Sequence, residues 1–242
     1  MEDLLKSVNH RPYPIPGGNW IMSQEWNKLL FAHWRFSPDA VRELIPGEME
    51  LDLFDSSAWV AVVPFKMENV RFRYIPLKCD FLELNVRTYV KYQGRPGVYF
   101  FSLDASMPLA VEAARLWFGL PYLHATMSAK LENEIVHYVS QRKDRRGNKA
   151  DLKVRYHPKG KKLEVSNQSI ENFLTERYCL FVRKGKNMLR GEIHHKKWSL
   201  TEAGAEFQEN TMLEAIGLKP SGDPLLHYSE GISTIEWSPV RL

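Results

Sequence analysis

The segment Phe81-Leu-Glu-Leu-Asn-Val-Arg-Thr-Tyr-Val90 indicates the fold class of this chain. Its side chains alternate in polarity, which is typical of a β-strand whose two faces differ. One face is apolar (Leu82, Leu84, Val86, Thr88, Val90), and the other carries complementary charges (Phe81, Glu83, Asn85, Arg87, Tyr89). In a one-sided sheet the charged face would meet solvent, whereas in a closed sheet covered by helices it would point inward. Both alternatives stay open at this point.

The segments on either side of this strand predict further strands. Residues 58–65 form a β-branched and aromatic run, as expected of a strand buried on both faces. Residues 91–97 turn the chain, and residues 98–104 return as a partner strand. Residues 26–36 fit a strand or a strand–helix hybrid. Three more hairpins and a last strand are predicted at 126–141, 152–165, 179–194 and 232–237.

Short helices separate some of these strands. Ser37 is placed to cap a helix over 37–46, with Pro38 at its first position. A second helix runs from Ser106 through Trp117 and stops at Gly119. A third covers 169–178. We therefore predict an α+β, mainly β fold, an antiparallel β-barrel or cone with a few short helices. Since no linker or repeat is visible, we treat 1–242 as one domain.

The composition indicates the cellular compartment of the protein and limits its possible partners. The chain has 242 residues, a net charge of +4 and two cysteines, Cys79 and Cys179, outside any Cys-x-x-Cys pair. This cysteine usage favours a reducing compartment. The first residues contain no apolar run typical of a signal peptide, and no stretch of about 18 apolar residues suggests a membrane span. We expect a cytoplasmic protein without membrane contact.

Positive charge is concentrated between residues 142 and 162. Ten cations lie there: Arg142, Lys143, Arg145, Arg146, Lys149, Lys153, Arg155, Lys159, Lys161 and Lys162. Such a cluster could bind phosphate groups, but it lacks the interleaved aromatic residues of most nucleic-acid modules. We interpret it as the solvated surface of two hairpins, so nucleic acid is not a predicted partner.

Several motifs are absent from the sequence. It has no Gly-x-Gly-x-x-Gly, Walker loop, Gly-x-Ser-x-Gly or His-Glu-x-x-His, which argues against dinucleotide enzymes, P-loop NTPases, α/β-hydrolases and zincins. The pair His194-His195 lacks a carboxylate or cysteine at ligand spacing. We predict neither a metal nor a cofactor.

A second candidate region runs from the end of the second helix into the next strand. Arg115 lies on the helix, and Tyr122 and His124 follow the Gly119-Leu-Pro121 corner two residues apart. They could polarise a ligand, or they could be packed corner residues. A third region combines 173–178, which contains Glu176 and Arg177, with His195-Lys-Lys-Trp198, and its role stays open.

These regions together resemble a known family. The resemblance rests on the segments 31–34, 58–65, 83–89, 101–105, 119–122, 174–178 and 195–198. In this order they are similar to the YqjF-like family of uncharacterised bacterial proteins, and the match spans nearly the whole chain. That family is similar in fold to acetoacetate decarboxylase, an antiparallel β-cone with an internal cavity. The resemblance therefore implies that the face of Glu83 and Arg87 lines a cavity.

The resemblance does not carry over the decarboxylase chemistry. In that enzyme the reactive lysine and a second lysine follow a Gly-Phe-Pro corner, whereas Tyr122 and Leu123 follow the corner here. A tyrosine cannot form the iminium, so Schiff-base decarboxylation is not expected. The resemblance also implies that Glu83 matches an active-site glutamate and that Arg35 matches a substrate-binding arginine.

Two functional hypotheses follow. In the first, the cavity binds a small organic acid or carbonyl compound: Arg87, Arg115 or Arg35 would hold its carboxylate beside Asn85, and Glu83, Tyr122 and His124 would supply acid–base groups for aldol-type or dehydration chemistry. In the second, the protein binds such a ligand without turning it over. The sequence leaves open which one applies, and also whether copies of the chain associate.

Overall fold

The computed structural model describes residues 2–242, except for the side chains of Glu2 and Leu77. In this part of the chain most elements are strands. They are β1 Met22–Phe36, β2 Glu50–Leu51, β3 Ala58–Phe72, β4 Ile75–Tyr92, β5 Arg95–Ala105, β6 Tyr122–Glu132, β7 Ile135–Arg142, β8 Asp151–Lys162, β9 Cys179–Lys184, β10 Asn187–His195, β11 Thr201–Asn210, β12 Leu225–Glu236 and β13 Val240–Arg241. The helices are α1 Glu2–Lys6, α2 Pro38–Arg42, α3 Pro108–Phe118 and α4 Ile170–Thr175, with a 3₁₀ turn at Glu214–Ile216. The predicted mainly β class is confirmed.

All described strands belong to one sheet, and their pairings form two closed rings. The large ring follows β5-β6-β7-β8-β11-β12-β1-β3-β4 and returns to β5. The small ring follows β5-β9-β10-β12-β1-β3-β4 and also returns to β5. The rings therefore share one wall, made of β12, β1, β3, β4 and β5.

This shared wall explains why both faces of β3 and β4 are buried. Val62 and Val86 belong to the core of the large ring, whereas Val63 and Phe65 belong to the core of the small ring. Neighbouring residues on a strand point to opposite faces, so each ring receives alternate side chains. The solvent-facing alternative for the charged face of β4 is wrong, since Glu83 is only 3% exposed.

Two details of the predicted pairing differ from the structure. Most pairings are antiparallel, but β5 runs parallel to β6 over three residue pairs and to β9 over one. The β5–β6 connection contains α3, and parallel neighbours need such a crossover. The predicted hairpin at 152–165 is wrong: β8 is one strand between β7 and β11. Residues 26–36 are strand throughout.

The helix predictions are confirmed with shorter bounds. α3 ends at Gly119, whose φ of 70° lies in the left-handed region that glycine tolerates. Ser169 Oγ accepts from the Asn172 N–H at the start of α4, but the Ser37 side chain caps nothing at α2. None of the described helices combines the length and the apolar character needed to cross a membrane.

The basic stretch 142–162 is not uniformly solvated. Arg142 is buried and forms two hydrogen bonds to Asp104, at 2.8 and 3.0 Å. Arg146 pairs with Asp144 and Glu112 on the surface. The interpretation of this stretch as outer surface is therefore wrong for Arg142, which holds a buried carboxylate of β5 inside the large ring.

Candidate functional site

The small ring encloses a cavity of about 380 Å³. Its lining is mostly apolar and comes from the shared wall, from β9 and β10, and from the inner side of α3. Thr175, the last residue of α4, also lines it. Since β4 runs along the cavity, every second residue of this strand reaches it: Cys79, Phe81, Glu83, Asn85 and Arg87.

Glu83 and Tyr122 form the most closely bonded polar pair in this cavity. The Tyr122 hydroxyl donates to Glu83 Oε2 at 2.6 Å. Burial raises the pKa of Glu83 to about 7, although Tyr122 and Asn85 both stabilise its charged form. The pKa of Tyr122 lies well above its ordinary value, because the hydroxyl is buried and faces a carboxylate. Near neutral pH, Glu83 can therefore either donate or accept a proton.

A second carboxyl group, Glu236 on β12, also lines the cavity. Burial, together with the charge of Glu83, raises its pKa to about 8. The sequence predicts a strand at 232–237, but it does not identify this residue as part of a site. The signal for it in the sequence is the alternation of a strand, which places Glu236 on the face opposite to Ile235 and Trp237. The cavity thus holds two carboxyl groups with raised pKa values.

Arg87 has no carboxylate partner. Among the described side chains, no carboxylate oxygen lies within 4.0 Å of its guanidinium. Its Nη2 donates to the Leu174 carbonyl at a long 3.4 Å, and its buried Nε has no acceptor. Glu83 and Arg87 do not pair with each other, since the two residues are four positions apart on an extended strand. The Asn85 Oδ1 beside them is also buried without a donor.

Two other polar residues that line the cavity, Arg177 and His195, already have polar partners. Arg177 lines the cavity and binds Asp52 at 2.6 Å. His195 also lines it, and burial lowers the pKa of its imidazole to about 4. These residues belong to the third candidate region of the sequence. Here the segment after α4 meets the end of β10.

Three of the sequence-predicted site residues lie outside the cavity lining. Arg115 donates to the Tyr122 carbonyl at 2.7 Å and so holds the backbone of the corner. His124 does not line the cavity, because β6 leaves the small ring and continues to β7. Arg35 is exposed to solvent and pairs with Asp55 at 2.7 Å. The structure therefore brings together Glu83, Asn85, Arg87 and Tyr122 from that set.

Comparison with known proteins assigns the family. Residues 23–233 match the family model DUF2071, described as "Uncharacterized conserved protein (COG2071)". The chain belongs to the DUF2071 family. One relative, "Uncharacterized protein YqjF" of Bacillus subtilis (strain 168), is 41% identical over 231 residues, which cover 94% of each sequence. The resemblance to YqjF-like proteins is confirmed.

Solved structures show the fold of this DUF2071 member. An acetoacetate decarboxylase from Legionella pneumophila matches with a TM-score of 0.66 at 12% identity, over 99% of this chain and 94% of that chain. The enduracididine biosynthesis enzyme MppR complexed with pyruvate also matches with a TM-score of 0.66, at 11% identity and over 97% of both chains. The acetoacetate decarboxylase-like fold class is confirmed.

The corner at Gly119-Leu-Pro121 leads directly into the cavity of this DUF2071 member. Tyr122, the first residue after it, supplies the hydroxyl bonded to Glu83. The described residues that line the cavity include arginines, glutamates and a histidine, but no lysine. Nor do residues 2–242 contain a cluster of three or more histidine, cysteine or acidic side chains suited to a metal ion.

Proposed function

We propose that this protein binds a small organic acid or carbonyl compound in the small-ring cavity, with a carboxylate of the ligand on Arg87. The observation that carries this proposal is the unpaired guanidinium. An arginine stays charged in proteins, and a buried charge without a partner is costly. Rings of Phe31 and Tyr89 lie 5.6 and 5.9 Å from the guanidinium and compensate in part. A carboxylate would satisfy both its charge and its free Nε.

The neighbouring structures support an acid of this kind. The enzyme MppR was solved with pyruvate, and also with a condensation product of pyruvate and imidazole 4-carboxaldehyde. Both ligands would fit the charge of Arg87 and the polar Asn85 here. The TM-score of 0.66 at 11% identity shows a shared fold, and Arg87 and Asn85 of this chain support the choice of ligand.

A second candidate function is acid–base catalysis on a carbonyl acid without a Schiff base. Glu83 favours it, because a carboxyl group with a pKa of about 7 can exchange a proton at neutral pH. The Tyr122 hydroxyl could stabilise a developing oxyanion, and Glu236 could serve as a second proton carrier. Aldol-type or dehydration chemistry would use these groups. The binding proposal does not depend on it.

Calorimetric titration with pyruvate and acetoacetate tests the binding proposal. We expect saturable binding that Arg87→Leu weakens by about 10- to 100-fold, the usual range for a charged hydrogen bond. Arg35→Leu is the matched control, since Arg35 is exposed and outside the cavity, and it should leave affinity unchanged. Equal effects of both substitutions would contradict the proposal. Following each acid by NMR over hours separates binding from turnover.

The absence of lysine from the lining supports a mechanism without an iminium. We expect no covalent adduct after incubation with acetoacetate and sodium borohydride, because reduction traps only a Schiff base. Intact mass measurement checks this. An adduct of one acetoacetate-derived group per chain would show that a lysine reaches the ligand and would refute this part of the proposal.

A further inference from the structure

The cavity has an opening beneath α3. Leu109 and Trp117 line the cavity, yet they are 78% and 51% exposed. A side chain that meets both solvent and the cavity lies at its mouth. Trp117 stacks on Phe72 of β3 with ring centroids 6.1 Å apart, so the rim continues onto the shared wall. The mouth is therefore apolar on both sides.

The opposite end of the cavity is closed and polar. Arg87 and Thr175 are only 8% and 3% exposed. The backbone carbonyl of Leu174 in α4 accepts from Arg87 and, at 2.8 Å, from the Tyr89 hydroxyl, which fixes α4 across this end. Along β4 the lining thus changes from Cys79 and Phe81 near the mouth to Asn85 and Arg87 at the closed end.

A three-carbon acid would fill only part of the cavity. Phe81 and Arg87 are six positions apart, which corresponds to about 20 Å of extended strand. The volume of about 380 Å³ equals the liquid volume of about a dozen water molecules. A ligand of the size of pyruvate, held at Arg87, would leave the apolar half between Phe81 and Trp117 unfilled. Apolar surface of this kind favours apolar ligand atoms.

We infer that the ligand is an amphipathic acid, whose carboxylate binds at Arg87 and whose apolar chain extends beneath α3 to Leu109 and Trp117. This inference rests on the proposed function, because the position of the carboxylate fixes the direction of the chain. The expected ligands are straight-chain or aromatic acids of about a dozen non-hydrogen atoms, which match the volume of the cavity. The exposed rim of α3 is then the part of the site that contacts the end of the ligand.

A series of 2-oxo acids tests the inference directly. Pyruvate, 2-oxohexanoate, 2-oxooctanoate and 2-oxodecanoate carry the same head group and differ only in chain length. We expect affinity measured by calorimetry to rise about fourfold per added methylene until the cavity is full, as for a buried methylene. Affinity that stays constant or falls along the series would overturn the inference.

Two leucines of α3 provide a matched pair of variants. Leu109→Ser should weaken binding of 2-oxodecanoate several-fold and leave pyruvate unchanged. Leu116→Ser is the control, because Leu116 is 80% exposed on the same helix but does not line the cavity. Both side chains are exposed, so neither change should affect folding. No loss with Leu109→Ser, or an equal loss with Leu116→Ser, would contradict the position of the chain.

Arg87→Leu separates failure of this inference from failure of the proposed function. If Arg87→Leu weakens binding of every acid equally and chain length has no effect, the inference fails and the proposed function stands. If affinity rises with chain length but Arg87→Leu changes nothing, the carboxylate site fails, and with it the direction assigned to the chain. We expect both dependences together.

Discussion

Arg87 and Arg142 are both buried, but they differ in what faces them. Arg142 binds the fully buried Asp104 with two hydrogen bonds, whereas Arg87 has one long bond to a carbonyl. Removing Arg142 would leave a carboxylate uncompensated, while removing Arg87 would remove an unpaired charge. Residues of the first kind stabilise the fold, and residues of the second kind are retained at a cost in stability that ligand binding can offset.

Substitution by leucine should distinguish the two arginines. We expect Arg142→Leu to lower the free energy of unfolding by about 3–5 kcal/mol, the usual effect of breaking a buried ion pair. Arg87→Leu should change it by less than about 1 kcal/mol or raise it, since no carboxylate loses its partner. Urea denaturation measures both. Comparable losses in the two variants would show that Arg87 has a structural partner after all.

The two cavity carboxyl groups with raised pKa values make stability depend on pH. The pKa of Glu83 is raised from 4.5 to about 7 in the folded protein. Between these values Glu83 binds more protons in the native state than in the unfolded state, so its contribution to stability falls as pH rises. The difference corresponds to about 3 kcal/mol for Glu83 alone at 1.36 kcal/mol per unit. Glu236, with a pKa of about 8, extends the decline to higher pH.

Glu83→Gln should remove much of this decline. The amide cannot ionise, so the variant should lose less stability than the wild type between pH 5 and pH 8, in urea denaturation at each pH. Its second effect should be a lower pKa of Glu236, because the charge that raises it is gone. Glu209→Gln, at an exposed position of β11, is the control. The same change in stability between pH 5 and pH 8 in the wild type and in Glu83→Gln would contradict the assignment, since the buried histidines contribute equally to both profiles.

At the scale of elements, closure of the small ring depends on a close approach between β5 and β9. They share one residue pair, Val98 with Leu180. Gly97 lies beside it, and a Cβ there would come within 2.8 Å of the Cys179 carbonyl and of the Phe181 ring. Only glycine lets the two strands meet at this distance. One missing side chain thus allows the wall of the cavity to close.

Gly97→Ala should therefore push β9 away from β5. We expect a loss of about 1–3 kcal/mol in the free energy of unfolding, as for overpacked cores, together with faster amide exchange in β9. Gly17→Ala is the control, because no atom lies within 4 Å of a Cβ at that position and its φ is ordinary. An unchanged stability in Gly97→Ala would mean that the ring does not depend on this contact.

The elements also show what the sequence could predict. Strands with β-branched or alternating residues, such as β3 and β4, were identified from their pattern. β11 was missed because Thr201–Asn210 contains three glutamates, two alanines and a glycine, and its strand character comes from pairing with β8. There Gly204 faces His157, and a Cβ would lie 2.5 Å from that imidazole. No local pattern carries such a cross-strand requirement.

The candidate site was predictable to the extent that it lies on one strand. Alternation on β4 grouped Glu83, Asn85 and Arg87, and the corner motif added Tyr122. Glu236 follows about 150 positions later and reaches the cavity only because β12 joins the shared wall. Pairings between distant strands decide such neighbours, and hydrophobic periodicity does not encode them.

At the scale of the whole molecule, the shared wall should make the two rings one cooperative unit. The strands β12, β1, β3, β4 and β5 belong to both rings, so neither core can lose its structure while the other keeps all its strands. Leu152 on β8 is 1% exposed and packs only in the core of the large ring. We therefore expect a cavity at Leu152 to lower the stability of the small ring as well.

Leu152→Ala tests this coupling by native-state hydrogen exchange. We expect a loss of about 2–5 kcal/mol, typical of a buried leucine, and we expect the slowest amides of β7–β8 and of β9–β10 to report the same loss. Amides that exchange through global unfolding share one free energy, whereas independently unfolding units do not. Leu131→Ala, at a 55% exposed position of β6, should change neither group. Protection lost in β7–β8 but retained in β9–β10 would show that the cavity ring folds independently. In that case the burial of Glu83 and Arg87 would depend on the small ring alone.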